Sequence, residues 1–425
     1  MRERTCTLTA ASLAVAVLLA FVSVHPAAGF HSGNVGECSG CHNSHSAGGS
    51  QGGNPFLLVS SDPSSTCLTC HQQAGEIVPN GHHVATDDMA MPSGAPPAQM
   101  TPGGDFGWLK KTYRWNSAEG TAGGQSSGER HGHNIVASSY GYAADTTLTI
   151  APGGTYPASS MSCTSCHDPH GRYRRLADGS IQTSGQPVLN SGSYETSPDP
   201  TSTAAVGVYR LLGGKGYSRP GTSELFTFDP PKAVSPADYN RAESGSDTRV
   251  AYGSGMSEWC TNCHATYTGS GNAPGHPAGN FIKMSPRVAA NYNAYVASGN
   301  LTGNSSSAYT SIVPFEMGTS DYSILKSMAN QDGTKKAGPD TNSNVMCLTC
   351  HRAHASAWDQ ATRWNMKTNF LVYNGDYPGA DRTDVPAGLS QGRTKAETKR
   401  AYYERPATQY ASYQRSLCNK CHIMD

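Results

Sequence analysis

Cysteine and histidine recur together six times along this chain, each time in the order Cys-x-x-Cys-His. Two thiols at this spacing can bond covalently to the edge of a porphyrin, and the histidine that follows can bind the iron from one face. The six copies therefore predict six covalently bound haem c groups. The attachment cysteines are Cys38, Cys41, Cys67, Cys70, Cys163, Cys166, Cys260, Cys263, Cys347, Cys350, Cys418 and Cys421. The proximal histidines are His42, His71, His167, His264, His351 and His422.

Two other uses of paired cysteines explain the pattern less well. Zinc ribbons place two Cys-x-x-Cys pairs close together and need no following histidine. Here the first cysteines stand at positions 38, 67, 163, 260, 347 and 418, so neighbouring motifs are 29 to 97 residues apart, and every copy carries the histidine. A disulfide framework leaves those histidines unexplained. Haem is therefore favoured over zinc and over disulfides.

The first 29 residues have the pattern of a secretory signal peptide. Arg2 and Arg4 give a positive start, an apolar stretch covers residues 8–22, and small residues precede a cleavage point at Phe30. The stretch is shorter than the roughly 20 apolar residues of a membrane span. We therefore expect residues 1–29, which include the thirteenth cysteine Cys6, to be removed. The mature protein, residues 30–425, is predicted to be exported without a transmembrane span.

Composition predicts little regular structure. The chain has 47 glycines and 26 prolines, and 36% of its residues are hydrophobic, which is too few for a large side-chain core. Porphyrin plates can replace that core. We therefore predict a single multihaem cytochrome c domain, mostly coil with short α-helices and very little β-structure, elongated and wrapped around a row of six haems. Helices are expected at the attachment motifs, over 286–296 after Ser285, and over 321–328 after Ser320. No basic stripe suggests nucleic acid.

The second axial ligand of each iron decides what the haems do. A haem with two protein ligands passes electrons, whereas a haem with an open position can bind and transform a small molecule. Six irons face nine histidines outside the proximal set, so histidine on both faces is predicted for all six. Methionines such as Met89, Met91 and Met100 are the alternative ligands, but they are not needed. The nine histidines are His31, His45, His82, His83, His131, His133, His170, His276 and His354.

Three of the nine stand three residues after a proximal histidine: His45, His170 and His354. On a short helix, side chains at i and i+3 point the same way. The two ligands of one iron must approach from opposite faces of the porphyrin, so the second histidine is expected to bind a neighbouring haem. The alternative is a surface or supporting role.

Several segments outside the haem motif resemble one known family. They include Phe30-His-Ser-Gly33, Gly132-His-Asn-Ile-Val136, Cys166-His-Asp-Pro-His-Gly171 and Met100-Thr-Pro-Gly-Gly-Asp-Phe-Gly-Trp108. The chain is similar along its whole mature length to hexahaem outer-surface cytochromes, the subunits of nanowires in metal-reducing bacteria. The resemblance implies a head-to-tail filament in which His45 binds a haem of the adjacent subunit. It also favours His83 over His82 and His133 over His131, with His170, His276 and His354 as further distal ligands and His31 in reserve.

The resulting hypothesis is a non-enzymatic electron conduit at the outer cell surface. It would accept electrons from other outer-membrane or periplasmic cytochromes and deliver them to Fe(III) oxides or electrodes. A discrete soluble electron carrier is one alternative, and a multihaem reductase with one open haem is another. The tripeptide Asp105-Phe-Gly107 imitates a kinase element, but no phosphate loop accompanies it, so we predict an ordinary turn there.

Overall fold

The structure is a computed structural model that describes residues 31, 38–43, 57–73, 82–116, 123–184, 193–236, 249–267, 278–329 and 336–424. Its α-helices are α1 (Cys38–Cys41), α2 (Pro63–His71), α3 (Met256–Cys260), α4 (Pro286–Ala294), α5 (Tyr322–Ala329), α6 (Cys347–Cys350), α7 (Ala387–Ser390), α8 (Lys395–Ala401) and α9 (Asn419–His422). Its strands are β1 (Gln72–Gln73), β2 (Ala85–Thr86), β3 (Tyr113–Trp115), β4 (Gly124–Ser126), β5 (Arg174–Arg175), β6 (Ile181–Gln182), β7 (Val206–Gly207), β8 (Lys232–Val234) and β9 (Ala251–Ser254).

The strands make only small pairings. β1 and β2 are parallel, whereas β3 with β4 and β8 with β9 are antiparallel. β5 lies between β6 and β7 in a three-stranded antiparallel sheet. Most described residues belong to turns, short 3₁₀ segments and irregular backbone. The predicted fold class, coil with short helices and little β-structure, is confirmed.

Two helices outside the motifs were predicted, and both form with shifted ends. Helix α4 begins after Ser285, whose hydroxyl accepts a hydrogen bond from the Val288 N–H (3.2 Å). It ends at residue 294 because Tyr295 is already extended. Helix α5 begins one residue later than expected. The prediction that Ser320 caps it is wrong, because the Asp321 carboxylate accepts from the N–H groups of residues 323 and 324.

The side-chain cores are small, rich in aromatic residues and placed beside the haem motifs. The largest contains Tyr292, Trp358 and Tyr402, and the partly buried Cys350 and Cys418 pack against it. A second contains Tyr252 and Met256 and meets Cys166 and Cys260. The attachment cysteines therefore lie at the edges of these clusters, where a porphyrin would extend the apolar core.

A buried arginine ties distant loops together near the fifth motif. The Arg393 guanidinium is fully buried and donates to the carbonyl oxygen of Ala357 (Nε–O 2.9 Å). It also lies over the rings of Tyr113 and Trp358, 4.3 and 4.7 Å from their centres. Such contacts combine charge-assisted hydrogen bonds with cation–π attraction. They hold the loops that surround the fifth motif without requiring long helices or strands.

Three sequence predictions lie outside the described residues. They are the signal peptide at 1–29 and the two distal candidates His45 and His276. Within the described ranges, none of the helices has the length and hydropathy needed to cross a bilayer.

Candidate haem sites

Each described attachment motif is built on a single helical turn. In the first motif the His42 N–H donates to the carbonyl oxygen of Cys38 (2.8 Å), and in the fifth the His351 N–H donates to that of Cys347 (3.0 Å). The third, fourth and sixth motifs make the same bond at 3.0 Å. One turn places residues i, i+3 and i+4 on one face, so both thiols and the imidazole of a motif face the same side.

Cysteines of successive motifs lie near one another, in chain order. The second cysteine of the first, third and fifth motifs lies near a cysteine of the motif that follows it. Burial raises the pKa of the Cys41 thiol and so, next, does Cys70. Burial and then Cys263 raise the pKa of Cys166, and burial and then Cys418 raise the pKa of Cys350 to about 12.

The first cysteines make the remaining two junctions. The Cys67 thiol lies beside that of Cys163, which is the main cause of its raised pKa, and Cys260 lies beside Cys347 in the same way. A serine three residues before Cys67 and Cys260 completes each junction. The hydroxyls of Ser64 and Ser257 accept hydrogen bonds from the N–H groups of Cys163 and Cys347, both at 3.2 Å. The six motifs therefore form one continuous row in sequence order.

Four proximal histidines face a second histidine at nearly the same separation. Two nitrogens bound about 2 Å from one metal ion on opposite sides place the ring centres about 6.3 Å apart. The observed ring-centre distances match this value, so the residues present fit an iron held between two imidazoles. The pairs are His42 with His170 (6.2 Å), His71 with His31 (6.2 Å), His167 with His354 (6.4 Å) and His264 with His133 (6.0 Å).

Backbone carbonyl groups set the protonation of five of the candidate axial imidazoles. A carbonyl oxygen only accepts, so an Nδ1 beside it carries the proton and Nε2 keeps the lone pair that binds metal. The acceptors lie 9 to 220 residues away in the chain. The described contacts join Nδ1 of His71 to the His82 oxygen (2.7 Å), His167 to Arg210 (2.7 Å), His264 to Pro152 (2.8 Å), His351 to Gln360 (2.7 Å) and His133 to Ala353 (2.6 Å).

The odd-numbered motifs, which are the first, third and fifth, share one backbone turn. The residue after the proximal histidine donates its N–H to a later carbonyl: Asp168 to Leu211 and Arg352 to Ala361, both at 2.7 Å. Asn43 makes the equivalent bond to Leu57 at 2.7 Å. These acceptor residues have positive φ values of 53°, 53° and 51°. This turn brings the chain back over the motif. In the third and fifth motifs it places the carbonyl groups of Arg210 and Gln360 where they accept the Nδ1–H of the proximal histidine.

The second histidine of an odd motif faces an iron site two motifs earlier. His170, in the third motif, faces His42 of the first, and His354, in the fifth, faces His167 of the third. The spacing alone predicted another haem as partner, and it suggested the adjacent one. In the structure these histidines instead join alternate motifs. The third motif is joined to the first, and the fifth is joined to the third.

His131 has a different role from His133. It is fully buried, and both ring nitrogens have protein partners, the Trp108 carbonyl oxygen at Nδ1 (2.9 Å) and the Ser126 hydroxyl at Nε2 (2.8 Å). Burial, followed by the nearby Arg393, lowers the pKa of His131 to about 3. Its nitrogens are used within the protein, whereas the ring of His133 faces His264.

The histidines at 82 and 83 lie next to the second motif. The His82 ring stands edge-on to His71 at 5.4 Å, and its carbonyl group receives the Nδ1–H of His71. Residue 82 therefore supports the proximal ring through its backbone carbonyl group. His83 lies against His82, with ring centres 4.5 Å apart. The ring opposite His71 at the ligand separation is that of His31.

A buried carboxylate connects the fourth and fifth motifs. Glu316 is fully buried and accepts hydrogen bonds from the Met256 N–H (2.6 Å) and the Asn344 side-chain amide (3.1 Å). Met256 begins helix α3, which carries Cys260, and Asn344 precedes Cys347 by three residues. Burial raises the pKa of Glu316 to about 6. Sequence alone gave no sign of this residue, because a single glutamate carries no spacing pattern.

Comparisons with known proteins agree with this arrangement. A family model for the doubled CXXCH motif matches residues 31–76. The chain is 51% identical to the C-type cytochrome OmcS of Geobacter sulfurreducens, over 97% of this chain and 98% of that protein. It also matches two solved structures of the OmcS filament, one described as a cryo-EM structure of the OmcS nanowires of the same organism. Each has 51% identity and a TM-score of 0.84 and covers 93% of this chain and 100% of the other. The predicted haem c attachment is confirmed.

The shared turn generates a prediction at position 360. Gln360 has φ 62°, and a β-branched residue resists this conformation whereas glycine adopts it freely. We expect Gln360→Val to destabilise the haem-loaded protein by about 1–2 kcal/mol, with Gln360→Gly close to the native value or above it. Denaturant unfolding followed by haem absorbance measures both. Equal stability of the two variants would contradict the role given to this turn.

The buried Glu316 predicts a pH dependence of stability. Its pKa is about 6 in the folded chain against an ordinary 4.5, so the unfolded chain releases this proton first as pH rises. The contribution of Glu316 to stability is greatest below pH 4.5, falls by about 2 kcal/mol between pH 4.5 and 6, and then stays constant. In Glu316→Gln this decline disappears from the free energy of unfolding measured across that range. A variant that keeps the native slope would show that another group causes it.

Proposed function

Because the chain belongs to the family of multihaem c-type cytochromes that includes OmcS, we propose that its copies join head to tail into an extracellular filament that conducts electrons. One observation carries this proposal: cysteines of each attachment motif lie near those of the next motif, so the six motifs follow one another in chain order. Electrons entering at one end can pass from haem to haem to the other. The protein transfers electrons and is not an enzyme.

The pairing of each second histidine with the site two motifs earlier supports the ligands that we propose for the remaining irons. His170 and His354 each face the site two motifs earlier, so the third member of the series, His45, should reach a site two motifs before the first motif. That site does not exist in the same chain. It is the fifth haem of the preceding subunit, whose proximal ligand is His351. We therefore assign His45 as a ligand across the subunit junction, which makes the chain of contacts heterologous and open.

The other assignments follow from the histidine pairs. We assign His170 to the first iron, His31 to the second, His354 to the third and His133 to the fourth. His31 thus replaces His83 in the ligand set expected from sequence. His276 is the candidate that remains for the sixth iron, opposite His422. All six irons then have two histidine ligands.

The protein's own residues keep these haems in an electron-transfer state. When bound, haem c supplies an iron that changes between the ferric and ferrous states. The carbonyl groups of Arg210 and Gln360 hold Nδ1–H of the proximal rings and so direct Nε2 to the metal. Loss of solvation in the surrounding protein lowers the pKa of His71 to about 4 and that of His354 to about 3. The imidazoles are thereby kept in the neutral form that binds iron.

Full ligation distinguishes the conduit from a reductase. A reductase needs one iron with an open position for its substrate, and every iron here has a histidine candidate on each face. We propose other outer-membrane or periplasmic cytochromes as electron donors. Extracellular Fe(III) oxides or electrodes are the proposed acceptors. A discrete carrier would need no ligand from a second subunit. The bond from His45 to the adjacent subunit therefore distinguishes the filament from a discrete carrier.

Replacement of His45 tests the filament. In His45→Ala the fifth haem loses its distal ligand, so we expect filaments to be lost and one haem in six to bind carbon monoxide. Electron microscopy of the sheared extracellular fraction and carbon monoxide difference spectra measure the two effects. His82→Ala, which changes a histidine outside the assigned set, should leave both unchanged. Filaments that persist with six low-spin haems would defeat the cross-subunit bond.

A paired replacement tests the ligand of the second iron. His31 faces His71 at 6.2 Å, whereas the ring that His83 lies against is that of His82, at 4.5 Å. We expect His31→Ala to create one haem that binds carbon monoxide, and His83→Ala to keep all six haems low-spin. Absorbance and magnetic circular dichroism of the purified variants report the spin states. The reverse result would return His83 to the ligand set and remove His31.

A further inference from the structure

We propose that Phe106 is a positioning residue for the third haem: its ring fixes the rotational orientation of the His354 imidazole and so tunes that haem's electronic state. The proposal rests on the assignment of His354 as distal ligand of the third iron. It gives the Asp105-Phe-Gly107 tripeptide a role beyond that of an ordinary turn.

The two rings are stacked. Their centres lie 4.7 Å apart with 23° between the planes, and Phe106 is 4% exposed. The His167 ring, the other axial candidate of the same iron, lies 6.4 Å from His354 at an angle of 58°. The His354 imidazole is therefore stacked on the Phe106 ring, and it lies at the ligand separation from the proximal His167.

The Phe106 ring is itself held rigidly. Its residue begins a 3₁₀ segment, Phe106–Lys110, and its N–H donates to the Val84 carbonyl oxygen (2.9 Å). The preceding Asp105 is fully buried, and its carboxylate accepts hydrogen bonds from the N–H groups of Thr86 (3.0 Å), Gln99 (2.9 Å) and Gly107 (2.7 Å). Four contacts to the backbone leave this turn little freedom, so the ring is a fixed surface.

Backbone encloses the imidazole at a second point. The His354 N–H donates to the Gly103 carbonyl oxygen (2.7 Å), and a Cβ atom added at Gly103 would lie 2.8 Å from Nδ1 of His354. A side chain at 103 would therefore push the imidazole. Phe106 and Gly103 together restrict rotation of the ring about its bond to an iron.

The first haem provides the contrast. Its assigned distal ligand, His170, has a side chain that is 52% exposed, and its ring is nearly parallel to His42 at 8°. The angle between two axial imidazole planes determines how the iron d orbitals split, which appears in the electron paramagnetic resonance spectrum and in the reduction potential. An enclosed ligand at 58° and an exposed ligand at 8° give two haems of the same chemistry different electronic states.

A purely structural role for Phe106 predicts a different effect of its replacement. The ring belongs to a hydrophobic cluster with Leu68, Ile135 and Tyr142, and filling that cluster would be reason enough for an aromatic residue. In that case a replacement of similar volume costs stability alone. A positioning role requires that the signal of one haem moves while the other five remain as they were.

The test compares two leucine variants in the same cluster. In Phe106→Leu we expect one of six low-spin ferric signals to shift at low temperature, together with the reduction potential of one haem. In Tyr142→Leu, which removes a ring that meets Phe106 edge-on at 6.4 Å and leaves the Phe106–His354 stack intact, we expect all six signals to stay. Phe106→Tyr keeps the ring and should keep the native spectrum. If Phe106→Leu fails to assemble with six haems, the more adaptable Phe106→Met replaces it.

Two results would overturn the proposal. One is a native spectrum in Phe106→Leu or in Phe106→Met. The other is an equal shift of the same signal in Tyr142→Leu. His354→Ala separates this outcome from a failure of the ligand assignment, because it should open one haem to carbon monoxide. Six low-spin haems in His354→Ala would remove His354 from the ligand set, whatever the Phe106 variants show.

Discussion

The structure depends on one requirement, that two imidazole nitrogens meet across a single metal ion from opposite sides. A histidine inside the attachment turn can supply only one of them, because the turn presents both thiols and the imidazole to the same face. The second nitrogen must come from elsewhere in the chain. The loops from His31 to His354 therefore follow paths that bring remote residues together, and four ring pairs end within 6.0–6.4 Å of each other.

Loops can satisfy this requirement because their polar backbone is anchored at a few buried points. Asp105 gathers N–H groups from three separate positions, and Glu316 joins the residues that lead into the fourth and fifth motifs. Arg393 performs the same task for carbonyl groups. A buried backbone group without a partner is costly, so these few side chains replace the ladders of hydrogen bonds that helices and sheets would provide.

Sequence could predict the elements that repeat and the residues that have a spacing. The six motifs, the helical turns at them, the scarcity of strands and helix α4 all follow from local patterns. The assignment of His31 opposite His71, the role of Ser64 and Ser257, and the carbonyl acceptors at 210 and 360 do not. Each depends on contacts between residues that are far apart in the chain, and nothing about an arginine or a glutamine predicts a positive φ.

The alternation of odd and even motifs also bears on how copies of this chain can join. Odd motifs carry the second histidine and the return turn, and even motifs carry the serine in the two internal junctions between first cysteines. The chain starts with an odd motif and finishes with an even one, so a second copy placed after the first continues the alternation in phase. The sixth motif has Arg415 in place of that serine, so the hydroxyl that closes the internal junctions is not repeated there. In the proposed filament, the bond from His45 to the preceding subunit is then the specific link at a junction that has no such serine.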